Sequence, residues 1–203
     1  MNRREALKTL GATTLLTGTA GITTAKSAPK PNPMDAGLQG GYFYRYTVGK
    51  VAVYTLTDGF IRFPSHPTFG GKVAGEEEVH QVLESHYLDP GFIDAQLNLT
   101  LIDDGETVTL IDTGYGARAG DTAGWLPASL AAAGFKPSDI DRVIISHAHP
   151  DHLYGLTDLS GGPVFPKAEV LISKPELDFW SKSDAQLQEM EDAENPRFGM
   201  LKT

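Results

Sequence analysis

The chain has 203 residues, no cysteine and a formal net charge of −9. This length suits one domain with a sizeable core. The lack of cysteine excludes a disulfide framework and any thiolate metal ligand, and the acidic balance argues against a nucleic-acid substrate.

Residues 1–27 are expected to be a targeting segment that takes no part in the fold. Asn2-Arg3-Arg4-Glu5-Ala6-Leu7-Lys8 resembles a twin-arginine export signal, and the stretch from Thr9 to Thr24 is mildly apolar and rich in Thr and Gly. Ala25-Lys26-Ser27 offers the small residues a signal peptidase prefers, so cleavage is expected near Ser27/Ala28. A membrane span needs about 20 mainly apolar residues, which this stretch lacks. It is therefore read as a cleaved signal rather than a stable membrane anchor, delivering the product to the periplasm or outside the cell. Its loss removes four basic residues and one acidic residue, which takes the mature chain to about −12. Residues 28–39 begin Ala28-Pro29-Lys30-Pro31-Asn32-Pro33 and read as an extended linker.

Tyr42–Tyr46 and Lys50–Thr57 are rich in β-branched and aromatic residues and predict strands. Asp58-Gly59 is a hairpin signal, with Phe60–Phe63 expected to return. A loop over Pro64–Gly71 contains His66, and Gly75–Leu83 predicts a short helix with acids in its first turn, favoured by the helix dipole. His80 falls on its charged face, and His86 is read as structural. Ala95–Asp103 alternates Leu97, Leu99 and Leu101 on one side. Asp104-Gly105 then turns the chain into a second strand over Thr107–Asp112. Asp121-Thr122 is expected to cap a helix running through Leu126, Leu130 and Ala133 to Gly134. Asp141–Ser146 and Ala168–Ile172 read as further strands, the latter buried, and Lys174–Lys182 as a helix with Phe179 and Trp180 in the core. Residues 183–203 are expected to be a polar tail, helical only weakly if at all.

The densest chemistry follows the strand at Asp141–Ser146. His147-Ala148-His149-Pro150-Asp151-His152 places four potential metal ligands within six residues. His and Asp are seldom buried in such numbers without partners. His147 and His149, two apart at a strand end, can face one side and grip one ion. Asp151 and His152 can reach a second. Pro150 restricts His149 to extended geometry. Imidazole and carboxylate ligands suit zinc, iron or manganese.

With these residues the chain resembles the metallo-β-lactamase superfamily, whose signature is His-x-His-x-Asp-His after a strand. A second mark is the apolar strand Val108–Ile111 ending in Asp112-Thr113-Gly114. The resemblance runs from about Gly40 to Ser181, within an expected unit of residues 40–182. Gly41–Arg45, Val53–Gly59 and Glu176-Leu177-Asp178-Phe179-Trp180 are similar to the branch holding methyl parathion hydrolases and quorum-quenching lactonases. The resemblance implies an α/β fold, the αβ/βα sandwich, here its N-terminal half only. It also implies two divalent metal ions, zinc first, held by His147, His149, Asp151 and His152. Asp151 would in addition orient the nucleophilic water. Asp112 is either a support behind the ligands or a turn cap, and His66 is a candidate pocket residue over the site.

The family completes its site with two further His and a bridging Asp in a C-terminal half. Residues 153–203 contain no His, and Glu189, Glu191, Asp192 and Glu194 lie in a polar stretch. The chain therefore reads as a truncated copy. The implied activity is hydrolysis of small esters, lactones or organophosphates by a metal-bound hydroxide, on a small-molecule substrate and with homo-oligomerisation open. Two alternatives stand beside it. One is a metal-binding remnant without activity; the other is a mononuclear iron dioxygenase of the same fold.

Overall fold

The computed structural model describes residues 42–69, 71, 73–183 and 186. The expected export signal, the Pro-rich linker and the acidic residues Glu189, Glu191, Asp192 and Glu194 lie outside these residues.

Six strands form one mixed sheet in chain order. They are β1 (Phe43–Val48), β2 (Val51–Pro64), β3 (Phe92–Asp103), β4 (Val108–Ile111), β5 (Arg142–Ile145) and β6 (Glu169–Ile172). The first four pair antiparallel, and β4, β5 and β6 run parallel. Parallel neighbours need crossovers. The first contains helix α2 (Leu126–Ala132), and the second contains the ligand-rich turn. Among the described residues no helix is long and apolar enough to cross a membrane.

Period-two alternation sends Tyr54, Leu56, Leu99, Leu101, Leu110 and Val143 to one face. There they meet Leu126 and Leu130 of α2, Phe135 and Ile140. Tyr54 and Phe135 pack edge to face with ring centres 5.2 Å apart. The opposite face carries Tyr44, Tyr46 and Val48 on β1, exposed, and Leu171 on β6. The structure corrects the reading of β6 as a buried strand. It is the sheet's edge, and its residues alternate between exposed and half-buried.

Asp58-Gly59 does not turn the chain. β2 runs on for 14 residues, and its register against β3 shifts between Thr57 and Gly59. This is a bulge, with Gly59 at φ 95°. A Cβ at Gly59 would collide with the carbonyl oxygen of Thr122, because the loop from Asp121 to Trp125 crosses the strand here. Past the bulge, β2 and β3 continue as a two-stranded arm. At its end lie an irregular helical turn (Ser65–Thr68) and helix α1 (Glu76–Ser85). The expected cap at Asp121-Thr122 is also displaced: α2 begins later, with Trp125 at its N-cap.

Candidate metal centre

β4 and β5 end side by side, in parallel register at Ile111 and Ile144. Each then delivers a polar turn at the same sheet edge. Asp112, directly after β4, adopts φ 61°, unusual for a residue with a Cβ. The conformation is held by its carboxylate. Oδ1 accepts the Ser146 N–H at 2.8 Å, and Oδ2 accepts the Ser146 hydroxyl at 2.8 Å. Oδ2 also lies 2.8 Å from His152 Nδ1. Asp112 thus fastens the two strand ends and bonds an imidazole.

The ligand-rich turn is folded by its own backbone. His149 stays extended before Pro150, at φ −74° and ψ 156°, and caps the short helix α3 (Pro150–Leu153). Its carbonyl accepts the N–H groups of His152 and Leu153. The carbonyl of His152 accepts both the N–H and the hydroxyl of Thr113, at 2.8 and 2.9 Å. The β4 turn therefore clasps the β5 turn from either side of the His152 ring.

These constraints bring three imidazoles together. The ring of His147 lies 4.0 Å from that of His152 and 4.5 Å from that of His149, centre to centre. The Ser146 hydroxyl has one proton, which goes to Asp112. The contact between Ser146 Oγ and His147 Nδ1 at 3.1 Å is then a donation from the ring. His147 and His152 are both held through Nδ1. Asp151 Oδ2 lies 3.2 Å from His152 Nε2.

Burial alone would lower the His152 pKa, but the bonds to Asp112 and Asp151 overcome it and raise the value to about 9. Burial likewise opposes ionisation of Asp112 and Asp151, yet the neighbouring His152 brings both below the usual carboxylate value. The donor chemistry fits a borderline divalent cation. As placed, the donors satisfy one another, and among the described residues no three of them form a group that could hold an ion. His66 lies at the tip of the arm. Thr55 of β2 is level with the end of β4, and Pro64, two residues before His66, lies nine residues further on.

Asp58 and Arg118 are among the supports that escaped the sequence reading. Asp58 is fully buried, and its two carboxylate oxygens accept the N–H groups of Tyr115 and Leu126 at 2.9 and 2.8 Å. It ties both ends of the loop that follows Asp112. Gly114, at φ 69°, has no room for a Cβ, which would fall on the Asp58 carboxylate. The guanidinium of Arg118 donates to the carbonyls of Tyr154, Thr157 and Asp158, joining that same loop to the chain after α3. An Asp inside an otherwise apolar strand was the one available signal for Asp58. A lone Arg in a loop offered none.

Residues 94–194 match the family described as the metallo-beta-lactamase superfamily. No curated protein matches the chain. Among solved structures, AidC, a dizinc quorum-quenching lactonase, is 32% identical with a TM-score of 0.69, over 78% of this chain and 54% of that one. The hydrolase AbOPH of the beta lactamase superfamily is 29% identical with a TM-score of 0.67, over 81% and 55%. A probable metal-dependent hydrolase from Staphylococcus aureus is 25% identical with a TM-score of 0.55, over 66% and 50%. The chain thus spans about half the length of the solved relatives it resembles. The shared fold, the family match across both polar turns and the strand-end placement of His-x-His-x-Asp-His identify the chain as a member of the metallo-β-lactamase superfamily.

Proposed function

We propose that this chain belongs to a metal-dependent hydrolase of small lactones, esters or organophosphates, with His147, His149, Asp151 and His152 as ligands to divalent ions, zinc first. The observation that carries this reading is the packing of three imidazoles at one sheet edge, two of them held through Nδ1. Bound there, a divalent ion would supply Lewis acidity and make water acidic enough to ionise near neutral pH. Asp112 fixes the His152 ring, Ser146 fixes His147, and Asp151 would orient the attacking water. AidC and AbOPH support the substrate class, as a lactonase and a hydrolase of this fold.

A second reading, metal binding without turnover, is favoured by the lack of three donors poised on one point among the described residues. Catalytic zinc sites usually keep three protein ligands. Assays of the zinc- or manganese-loaded chain against acyl-homoserine lactones, aryl esters and methyl parathion separate the two. Turnover lost in His147→Ala and on chelation supports the hydrolase. Metal uptake without turnover supports the second reading, and no uptake refutes both.

We further propose export by the twin-arginine route, supported by Arg3-Arg4 and the small residues before Ala28. Replacing Arg3-Arg4 by Lys-Lys should then retain the protein in the cytoplasm. Self-association is proposed on the exposed aromatic strand β1.

A further inference from the structure

Glu176 and Trp180 lie in helix α4 (Lys174–Trp180), outside the ligand motif. They nevertheless reach into it. Ser173 caps the helix, its Oγ accepting the Glu176 N–H at 3.4 Å. The Glu176 side chain then turns to the sheet edge, where a single oxygen, Oε2, accepts two hydrogen bonds. One comes from the backbone N–H of Ala148 at 3.0 Å, the other from the indole Nε1–H of Trp180 at 2.8 Å.

Ala148 is the residue between His147 and His149 and is fully buried. Its N–H cannot turn to water, so it needs an acceptor inside the protein, and leaving it unmatched would cost about 1–3 kcal/mol. The dihedral angles of a residue between two ligands also decide whether their side chains splay or converge. Trp180 is itself buried and packs edge to face on Phe179 with ring centres 5.0 Å apart. Its indole N–H is a fixed donor that pins the carboxylate. The line of contact therefore runs from the core through Trp180 and Glu176 to the peptide joining the two imidazoles.

We propose that Glu176, pinned by Trp180, is a positioning residue that sets the approach of His147 and His149, and through it the metal affinity of the site. The affinity part rests on the metal-dependent reading above; the backbone part stands without it. Because one oxygen takes both bonds, an amide oxygen can replace it, whereas a methyl group cannot. The role is separable from charge.

The test compares the full chain with Glu176→Gln, Glu176→Leu and Trp180→Phe, each checked for folding by circular dichroism. Two readouts are taken: hydrogen exchange at the Ala148 amide without metal, and the affinity and visible spectrum of bound cobalt(II) in competition with a chromophoric chelator. Glu176→Leu is expected to speed Ala148 exchange at least tenfold and to weaken cobalt(II) binding about 10–100-fold, the usual effect of losing an outer partner of a metal ligand. Its spectrum should also change. Glu176→Gln should stay within about threefold of the parent in both, and Trp180→Phe should fall between. A folded Glu176→Leu with parental exchange and affinity overturns the proposal, as does a Glu176→Gln that fails as badly as Glu176→Leu. If Glu176→Leu does not fold, Trp180→Phe decides, and unchanged exchange and affinity in that variant overturn the proposal. If even the parent binds no cobalt(II), the metal-dependent reading fails. Ala148 exchange in the variants then decides the backbone role alone.

Discussion

Asp58 shows how much one side chain does here. Burial pushes its carboxyl up from the usual value, against the lowering effect of the backbone donors of Tyr115 and Leu126. Asn in its place would turn an N–H₂ group towards one of those donors. Asp58→Asn should therefore destabilise the chain by about 2–3 kcal/mol, read as a lower denaturation midpoint in urea; an unchanged midpoint would refute the role. His152 supplies a pH dependence in the metal-free chain. Its folded pKa of about 9 lies above the ordinary 6.5, so its ion-paired form stabilises fully below pH 6.5 and is lost as pH rises through 9. In chelator, stability should fall by about 2 kcal/mol across that window. His152→Gln should flatten the profile, and a parental profile already flat from 6.5 to 9.5 would contradict the Asp112–His152–Asp151 arrangement.

The elements hold the site through their ends. β4 and β5 were legible from their apolar runs, and so was the turn after each. Their joint closure was not, because Asp112, Ser146 and His152 are up to 40 residues apart in the chain. The Asp-Gly in β2 shows why local signals mislead. It has the composition of a hairpin, but the Asp carboxylate is spent on a distant loop and the Gly makes room for Thr122. Gly114 belongs to the same closure. Gly114→Ala should strain a left-handed backbone and displace the Asp58 carboxylate, lowering the melting temperature more than Gly105→Ala, where φ is also positive but nothing lies within 4 Å. Equal effects would mean the backbone angle alone matters. At α4, Ser173→Ala should cost about 1 kcal/mol of stability and speed Ala148 exchange, since the cap sets the start of the helix that carries Glu176.

At the scale of the whole molecule, one face of the sheet is filled by α2 and its neighbours, and the other bears a row of aromatic and aliphatic side chains. Tyr44 is 69% and Val48 63% exposed, on a strand that is also the edge of the sheet among the described residues. Edges and apolar patches of this kind promote association unless they are covered or charged. The chain should associate with concentration, and Tyr44→Lys with Val48→Lys should return it towards monomer. Sedimentation velocity decides, and a monomer at the highest soluble concentration would refute it. The arm of β2 and β3 carries His66 at its tip, past the bulge at Gly59.

The sequence by itself determined the cluster of candidate ligands, the strands that feed it and the family, because these rest on contiguous patterns: four potential ligands in six residues, and apolar runs ending in polar turns. Tertiary structure alone decided what holds those ligands in place. Asp58, Asp112, Arg118 and Glu176 each act on a partner 28 or more residues away. A carboxylate's partner is set by which turns the sheet brings together, and nothing in the neighbouring residues encodes it. The tertiary structure likewise decided that Nδ1 of His152 meets the Asp112 carboxylate, 40 residues away, for the same reason. Strand register, fixed by burying one face of the sheet, chose its neighbours.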